Sequence, residues 1–167
     1  MLYRGAAKRA VIRLKKQAGS EEVALFAGYL AAAVRRDFSK VSFSVVTAVP
    51  LHRRKERRRG FNQSKRLARA AAFQLGIPYS DTLLKVRPTG DQHTLNAAKR
   101  QNNLSGAFRA VRPLSGAVLL VDDVRTTGAT LNECAWVLRS AGASQVYAVC
   151  LALATLSQRH QEKATGM

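Results

Sequence analysis

Two adjacent carboxylates, Asp122 and Asp123, close the apolar run 118–121 and lead into Val124-Arg125-Thr126-Thr127-Gly128-Ala129-Thr130. Carboxylates accept hydrogen bonds from sugar hydroxyls. Backbone N–H groups of a short loop, with the hydroxyls of Thr126, Thr127 and Thr130, can wrap a phosphate. A helical pattern follows over 131–141, so its positive end favours an anion at that loop. Gly128 permits the close backbone approach that wrapping requires. The chemistry suggested is the holding of a phosphorylated sugar. The alternative is a buried strand that ends in a solvated turn and an ordinary helix cap.

A second stretch, Pro50-Leu51-His52-Arg53-Arg54-Lys55-Glu56-Arg57-Arg58-Arg59-Gly60-Phe61-Asn62-Gln63, is the densest positive charge in the chain. It follows a β-rich run and precedes a helix start. Guanidinium pairs and backbone N–H groups there suit a diphosphate. Charge alone supports a solvated run or a nucleic-acid contact equally well.

The elements that must position these residues alternate. Helical spacing predicts a short basic helix over 6–17 and an amphipathic helix over 21–37, with Ser20 as its cap. A buried strand is expected over 41–49, then an arginine-rich loop over 51–61. Asn62 is expected to cap a helix through Leu75, stopped by Gly76 and Pro78. Residues 79–93 read as mixed and partly loop, 94–103 as a short helix and 107–111 as a strand. A strand over 116–121, a helix over 130–141 and a strand over 145–154 complete the pattern, before a polar tail over 155–167. Strands alternating with helices imply βαβ units and a mainly parallel sheet in one α/β domain over 1–154. Ligands of such sheets sit at the carboxyl ends of strands, where both motifs fall.

Composition narrows the function. The chain has 167 residues, 28 Lys and Arg against 10 Asp and Glu, and a formal charge of +18. That imbalance favours polyanions, nucleic acid foremost, with a merely basic surface as the other reading. Aromatic content of 7% argues against a stacking platform for single strands. No apolar stretch approaches the roughly 20 residues of a membrane span, and the first residues lack the apolar core of a signal peptide, so cytoplasmic residence is the expectation. Cys134 and Cys150 read as small core residues, and scattered His52, His93 and His160 make no zinc site.

The string 118–130 resembles the phosphoribosyl-pyrophosphate (PRPP) signature of type I phosphoribosyltransferases. That resemblance implies Asp122 and Asp123 as the acids on the ribose hydroxyls, and Arg125, Thr126, Thr127, Gly128, Ala129 and Thr130 as the 5′-phosphate loop. Arg59-Gly60-Phe61-Asn62-Gln63 is similar to an element of the ComF family of competence-associated, phosphoribosyltransferase-like proteins. Arg87, Gln92, Leu95, Arg100, Asn103 and Gly106-Ala107-Phe108 match a further ComF pattern, as do Tyr3-Arg4-Gly5 and the basic helix with Lys15 and Lys16.

The ComF resemblance implies a type I phosphoribosyltransferase-like fold, PRPP with Mg²⁺, and a link to DNA uptake, with single-stranded DNA and uptake proteins as partners. It implies diphosphate contacts from Pro50, Leu51, Arg57, Arg59, Gly60 and Asn62. It also implies a closing loop with Arg87, Gln92, Arg100 and Asn103, where a polar surface turn is the plainer reading. The metal is expected to be held through the ligand and Asp122/Asp123 rather than by direct ligands. Many ComF proteins carry a four-cysteine zinc ribbon before the tyrosine; this chain starts where that ribbon would end, whether naturally or by a trimmed start. Whether phosphoribose is transferred, with pyrophosphate released, or the fold serves as a non-catalytic DNA-binding factor stays open. No acceptor pocket is legible, and no residue stands out as a general base; His52 is near in sequence, with a solvated loop histidine as the plainer reading.

Overall fold

A computed structural model describes residues 2, 4–16, 19–88 and 104–154. Its elements run α1 (Gly5–Lys16), α2 (Ser20–Asp37), β1 (Phe43–Ala48), α3 (Arg53–Arg59), α4 (Gln63–Leu75), β2 (Leu83–Lys85), β3 (Phe108–Ala110), β4 (Ala117–Arg125), α5 (Ala129–Ser140) and β5 (Gln145–Leu153). The main sheet has the order β1-β4-β5 and is wholly parallel. Single bridges extend it at both edges, Tyr79 beside Val46 and Leu2 beside Leu153. β2 and β3 form a separate antiparallel pair.

β4 is central and covered on both faces, which is why it reads as an unbroken apolar run rather than an alternating one. Successive side chains still point to opposite faces. Leu119 and Val121 pack into one cluster with Val11 and Leu14 of α1, Phe26 and Leu30 of α2, and Leu67 and Ala71 of α4. Val118 and Leu120 pack into a second cluster with Leu131, Cys134 and Leu138 of α5, and with Leu83 and Phe108 of the small sheet. Fully burying each such aliphatic side chain contributes about 1.5–3 kcal/mol. The product is a helix–sheet–helix sandwich, the α/β architecture expected from the alternating pattern.

Several local expectations need correction. The arginine-rich stretch 51–61 is not a loop throughout, because 53–59 form α3. His52 Nδ1 accepts from Arg54 N at 3.3 Å and caps that helix. Gly60, at φ 84°, ends it by donating its N–H to Glu56 O. Ser20 is the first residue of α2 rather than its side-chain cap; Gly19 holds that position without one. β4 runs four residues past Val121, through Arg125, because β5 continues to pair with it. Cys134 is buried as expected, while Cys150 is half-buried. The helix expected over 94–103 and the tail over 155–167 lie outside the described residues. Among the described residues, no helix is long and apolar enough to cross a membrane.

Candidate functional site

Asp122 and Asp123 stand at the carboxyl end of the central strand, only 9% and 5% exposed. Because the strand alternates, Asp123 shares the face of Leu119 and Val121, under α1 and α4. Asp122 shares the face of Val118 and Leu120. Each carboxylate is held by named donors. Asp122 Oδ1 accepts from Ser64 Oγ at 2.9 Å and from Asp123 N at 2.9 Å. Asp123 Oδ1 accepts from Val124 N at 2.8 Å, and its Oδ2 accepts from Gln63 Nε2 at 3.1 Å. Lys15 Nζ, from α1, lies 3.0 Å from the same Oδ2.

The donors come from α4 because Asn62 fixes where that helix starts. Its Oδ1 accepts from Ser64 N at 2.9 Å and Lys65 N at 3.3 Å, satisfying two orphan donors of the first turn. Its Nδ2 donates to Val49 O at 3.0 Å, so the helix start is tied to the end of β1. Asn62 is therefore buried, with its side chain committed to the chain's own backbone. Gln63 continues the relay. Its Oε1 accepts from Arg59 of α3, so its amide nitrogen is the end that faces Asp123.

Burial, and then the charge of Asp123, push the Asp122 carboxyl up to about 8. Desolvation disfavours the charged form, and a neighbouring like charge adds to that. Two close carboxylates of which one resists ionisation invite a cation or hydrogen-bond donors. The pair suits Mg²⁺, which keeps several waters and takes one or two carboxylates along with substrate oxygens. Among the described residues, no group of three or more His, Cys, Asp or Glu could hold a metal ion.

Beyond the acids the chain turns at Thr126 and Thr127 into Gly128, at φ 82°, which starts α5. Thr127 Oγ1 accepts from Ala129 N at 3.4 Å, and no side chain caps the helix. Arg125 folds back over the turn; a β-carbon at Gly128 would lie 3.3 Å from its Nε. The sequence-derived phosphate residues thus run from Arg125, the last residue of β4, through the turn 126–128 into the first turn of α5.

The diphosphate candidates divide. Arg57 and Gly60 are exposed, Pro50, Leu51 and Arg59 half-buried, and Asn62 buried. Of the loop candidates, Arg87 is exposed and donates to Ser105 O at 2.6 Å. Gln92, Arg100 and Asn103 lie outside the described residues. Lys15, Gln63 and Ser64 also contact the acids, a role that no sequence motif marks for them. Gln63 closes the Arg59-Gly60-Phe61-Asn62-Gln63 element. Lys15 is 108 residues from Asp123 in sequence, and no local signal marks that contact.

A parallel sheet between helix layers, with paired acids and a Thr-Gly turn after its central strand, defines a type I phosphoribosyltransferase-like protein. The glutamine PRPP amidotransferase of B. subtilis, solved with ADP and GMP, superposes with a TM-score of 0.51 and 29% identity over 77% of this chain and 26% of that one. No family model matches the chain. It is 44% identical to the DNA utilization protein YhgH of Salmonella typhi over 108 residues, 64% of this chain and 48% of the relative. It is 30% identical to the competence protein ComFC of Streptococcus pneumoniae over 122 residues, 73% of this chain and 52% of the relative. The chain is a homologue of the ComF/YhgH competence proteins. It spans about half the length of the curated relatives it matches.

Proposed function

We propose that this chain binds PRPP with Mg²⁺ at the carboxyl end of β4 and acts in DNA uptake or use. The observation that carries the reading is the buried Asp122–Asp123 pair immediately before a Thr-Gly turn that opens an uncapped helix. Each part has a task in that ligand. The acids accept the ribose 2′ and 3′ hydroxyls. Backbone N–H groups of the 125–130 turn and its threonine hydroxyls take the 5′-phosphate, aided by the positive end of α5. Arg57 and Arg59 of α3 face the diphosphate.

If phosphoribose is transferred, positive charge builds on the ribose ring as the bond from C1′ to pyrophosphate stretches. The acids lie beside that ring, and the α3 guanidiniums stabilise the departing diphosphate. Mg²⁺, when bound, neutralises diphosphate oxygens, with Asp122 and Asp123 as its protein-side anchors. Such a protein is a pentosyltransferase, a glycosyltransferase of nucleotide metabolism.

A second reading rests on a separate observation, the +18 charge and the exposed arginines of α3. In it the chain is a non-catalytic factor whose basic face holds single-stranded DNA, beside competence and uptake proteins. Neutralising Arg57 and Arg58 then flattens the salt dependence of DNA affinity by about one unit of slope per lost phosphate contact.

Calorimetric titration of the chain with PRPP and Mg²⁺, beside Asp122→Asn/Asp123→Asn, tests the first reading. Saturable binding lost in the variant supports it. Absence of binding to a folded wild-type chain defeats it and leaves the DNA-binding reading.

A further inference from the structure

The two edges of the main sheet are finished differently. On the β1 side the chain itself closes the edge: Val46 N donates to Pro78 O at 2.8 Å, and Ser80 N donates to Val46 O at 3.0 Å. On the β5 side, among the described residues, Leu2 beside Leu153 is the one bridge, and it meets only the last residue of the strand. The stretch 145–150 has β4 on one side and no described strand on the other. An open edge presents backbone N–H and C=O groups to any extended chain. The usual guards are missing here. Residues 145–153 include no charged side chain and no proline. Pairing with β4 keeps an unbroken register from Gln145 to Cys150, so no bulge bends the edge away.

Burial shows the same gap. β4, with a strand on each side, is buried from Ala117 to Asp123. β5 packs on the same two clusters, Tyr147 and Val149 on one and Val146 on the other. Yet Val146, Tyr147, Val149 and Cys150 are half-buried, and Gln145 and Ala148 are exposed. Both faces are affected, which puts the missing cover beside the strand rather than above it. Tyr147 is held against Phe38 and Phe43, with ring centroids 5.0 and 5.5 Å away, so the edge is firmly placed. We propose that this edge pairs with the same edge of a second copy of the chain, antiparallel about a two-fold axis. Charge selects that occupant. A +18 chain repels its own copy over most of its surface, and along 145–153 two copies can meet with no charge between them. An acidic partner would be drawn to the cationic helices instead. An axis at Ala148 sets Val146 opposite Cys150 of the second copy and Tyr147 opposite its Val149, so apolar pairs line both faces of the junction. Two three-stranded sheets become one of six strands, an ordinary size. The inference does not depend on PRPP or DNA binding.

Sedimentation of the full chain tests this, with salt as the discriminating variable. Raising salt from about 0.1 M to about 1 M shortens the screening length from about 10 Å to about 3 Å. Repulsion between copies fades while strand pairing remains, so the sedimentation coefficient should shift from monomer toward dimer. Ala148→Lys sets two ammonium groups opposite one another on the axis and should leave the chain monomeric at both salts. Phe73→Lys changes a side chain that is 89% exposed on α4, away from the edge, and should leave the dimer as it is. A second variant keeps the test open should the lysine disturb folding. Ala148→Cys in a Cys150→Ser background, oxidised with diamide, should give a disulfide-linked dimer, because directly opposed β-carbons lie about 4.5–5.5 Å apart. A chain that is monomeric at both salts overturns the proposal. A dimer that weakens as salt rises overturns it as well, and so does a dimer that forms no cross-link through position 148. Loss of the dimer in Phe73→Lys with retention in Ala148→Lys overturns it in favour of an interface on α4.

Discussion

Lys15 Nζ sits 3.0 Å from Asp123 Oδ2, joining the first helix to the central strand across 108 residues of sequence. Gln63 reaches the same oxygen, so an ammonium and an amide share one carboxylate lone-pair region. The contact supplies positive charge where two acids meet in a buried setting, the place a ligand's own cation would otherwise occupy. Lys15→Met should therefore separate two properties. Stability should fall by about 1 kcal/mol, since the lysine side chain is one-third exposed and solvent screens the pair. PRPP affinity in the presence of Mg²⁺ should hold or rise, because a competitor for Asp123 is gone. Urea unfolding and a PRPP titration check this; a loss of PRPP affinity beside the loss of stability would mean that Lys15 supports the site rather than competing for it.

Asp122 gives the fold a pH dependence. Its carboxyl titrates near 3.9 in an unfolded chain and is raised to about 8 here, by burial first and by Asp123 second. Between those values the native state binds more protons than the unfolded one. The Asp122 contribution thus favours folding at low pH, is lost as pH rises from about 4 to about 8, and is constant above. Asp122→Asn keeps an Oδ1 acceptor for Ser64 and Asp123 N and carries no charge. Urea midpoints across pH 4–9 should show a smaller decline in the variant than in wild type, and the variant should be the more stable at pH 8. Superimposable profiles would show that Asp122 is ionised throughout.

The central strand was legible because burial on both faces leaves an apolar run, and the acids and Thr-Gly turn because their chemistry is local. β4 extends beyond its apolar run because Asp122 and Asp123, which look like a strand's end, still pair. Pairing with Cys150, Ala152 and Leu153 of β5 carries them into the sheet, and strand pairing has no signal in a single segment. The helical form of 53–59 was hidden by charge: seven residues with six cations repel one another, and the two caps that hold them together sit outside the run. The Arg59–Gln63–Asp123–Lys15 relay spans three helices and a strand, so only the fold assembles it.

Asn62 serves the site through backbone geometry. Asn62→Ala removes an N-cap, at about 1 kcal/mol, and the bond to Val49 O, at about 1 kcal/mol more. Stability should fall by about 2 kcal/mol with an unchanged urea slope. Gln63 and Ser64 follow the cap directly and both donate to the acids, so PRPP affinity should fall too. Asn62→Asp keeps the Oδ1 acceptor and loses the donor to Val49 O. It should recover most of the helix start and part of the affinity. Full PRPP affinity in Asn62→Ala would mean that the acids hold their positions without α4.

Gly128 tests whether the turn after β4 grips a phosphate. Its φ of 82° lies in the left-handed region, where a side chain costs about 1–2 kcal/mol. A β-carbon there would meet Arg125 Nε at 3.3 Å; that contact is with the far end of a flexible chain and can yield. Gly128→Ala should lower stability by about 1 kcal/mol, and Gly128→Asn by less, since asparagine tolerates this conformation better. If the phosphate is wrapped by backbone N–H groups, any β-carbon crowds it, and both variants should lose PRPP affinity by about tenfold or more. Recovery of PRPP binding in Gly128→Asn would show that only the turn's conformation matters, and unaltered binding in Gly128→Ala would take the 5′-phosphate out of this turn altogether.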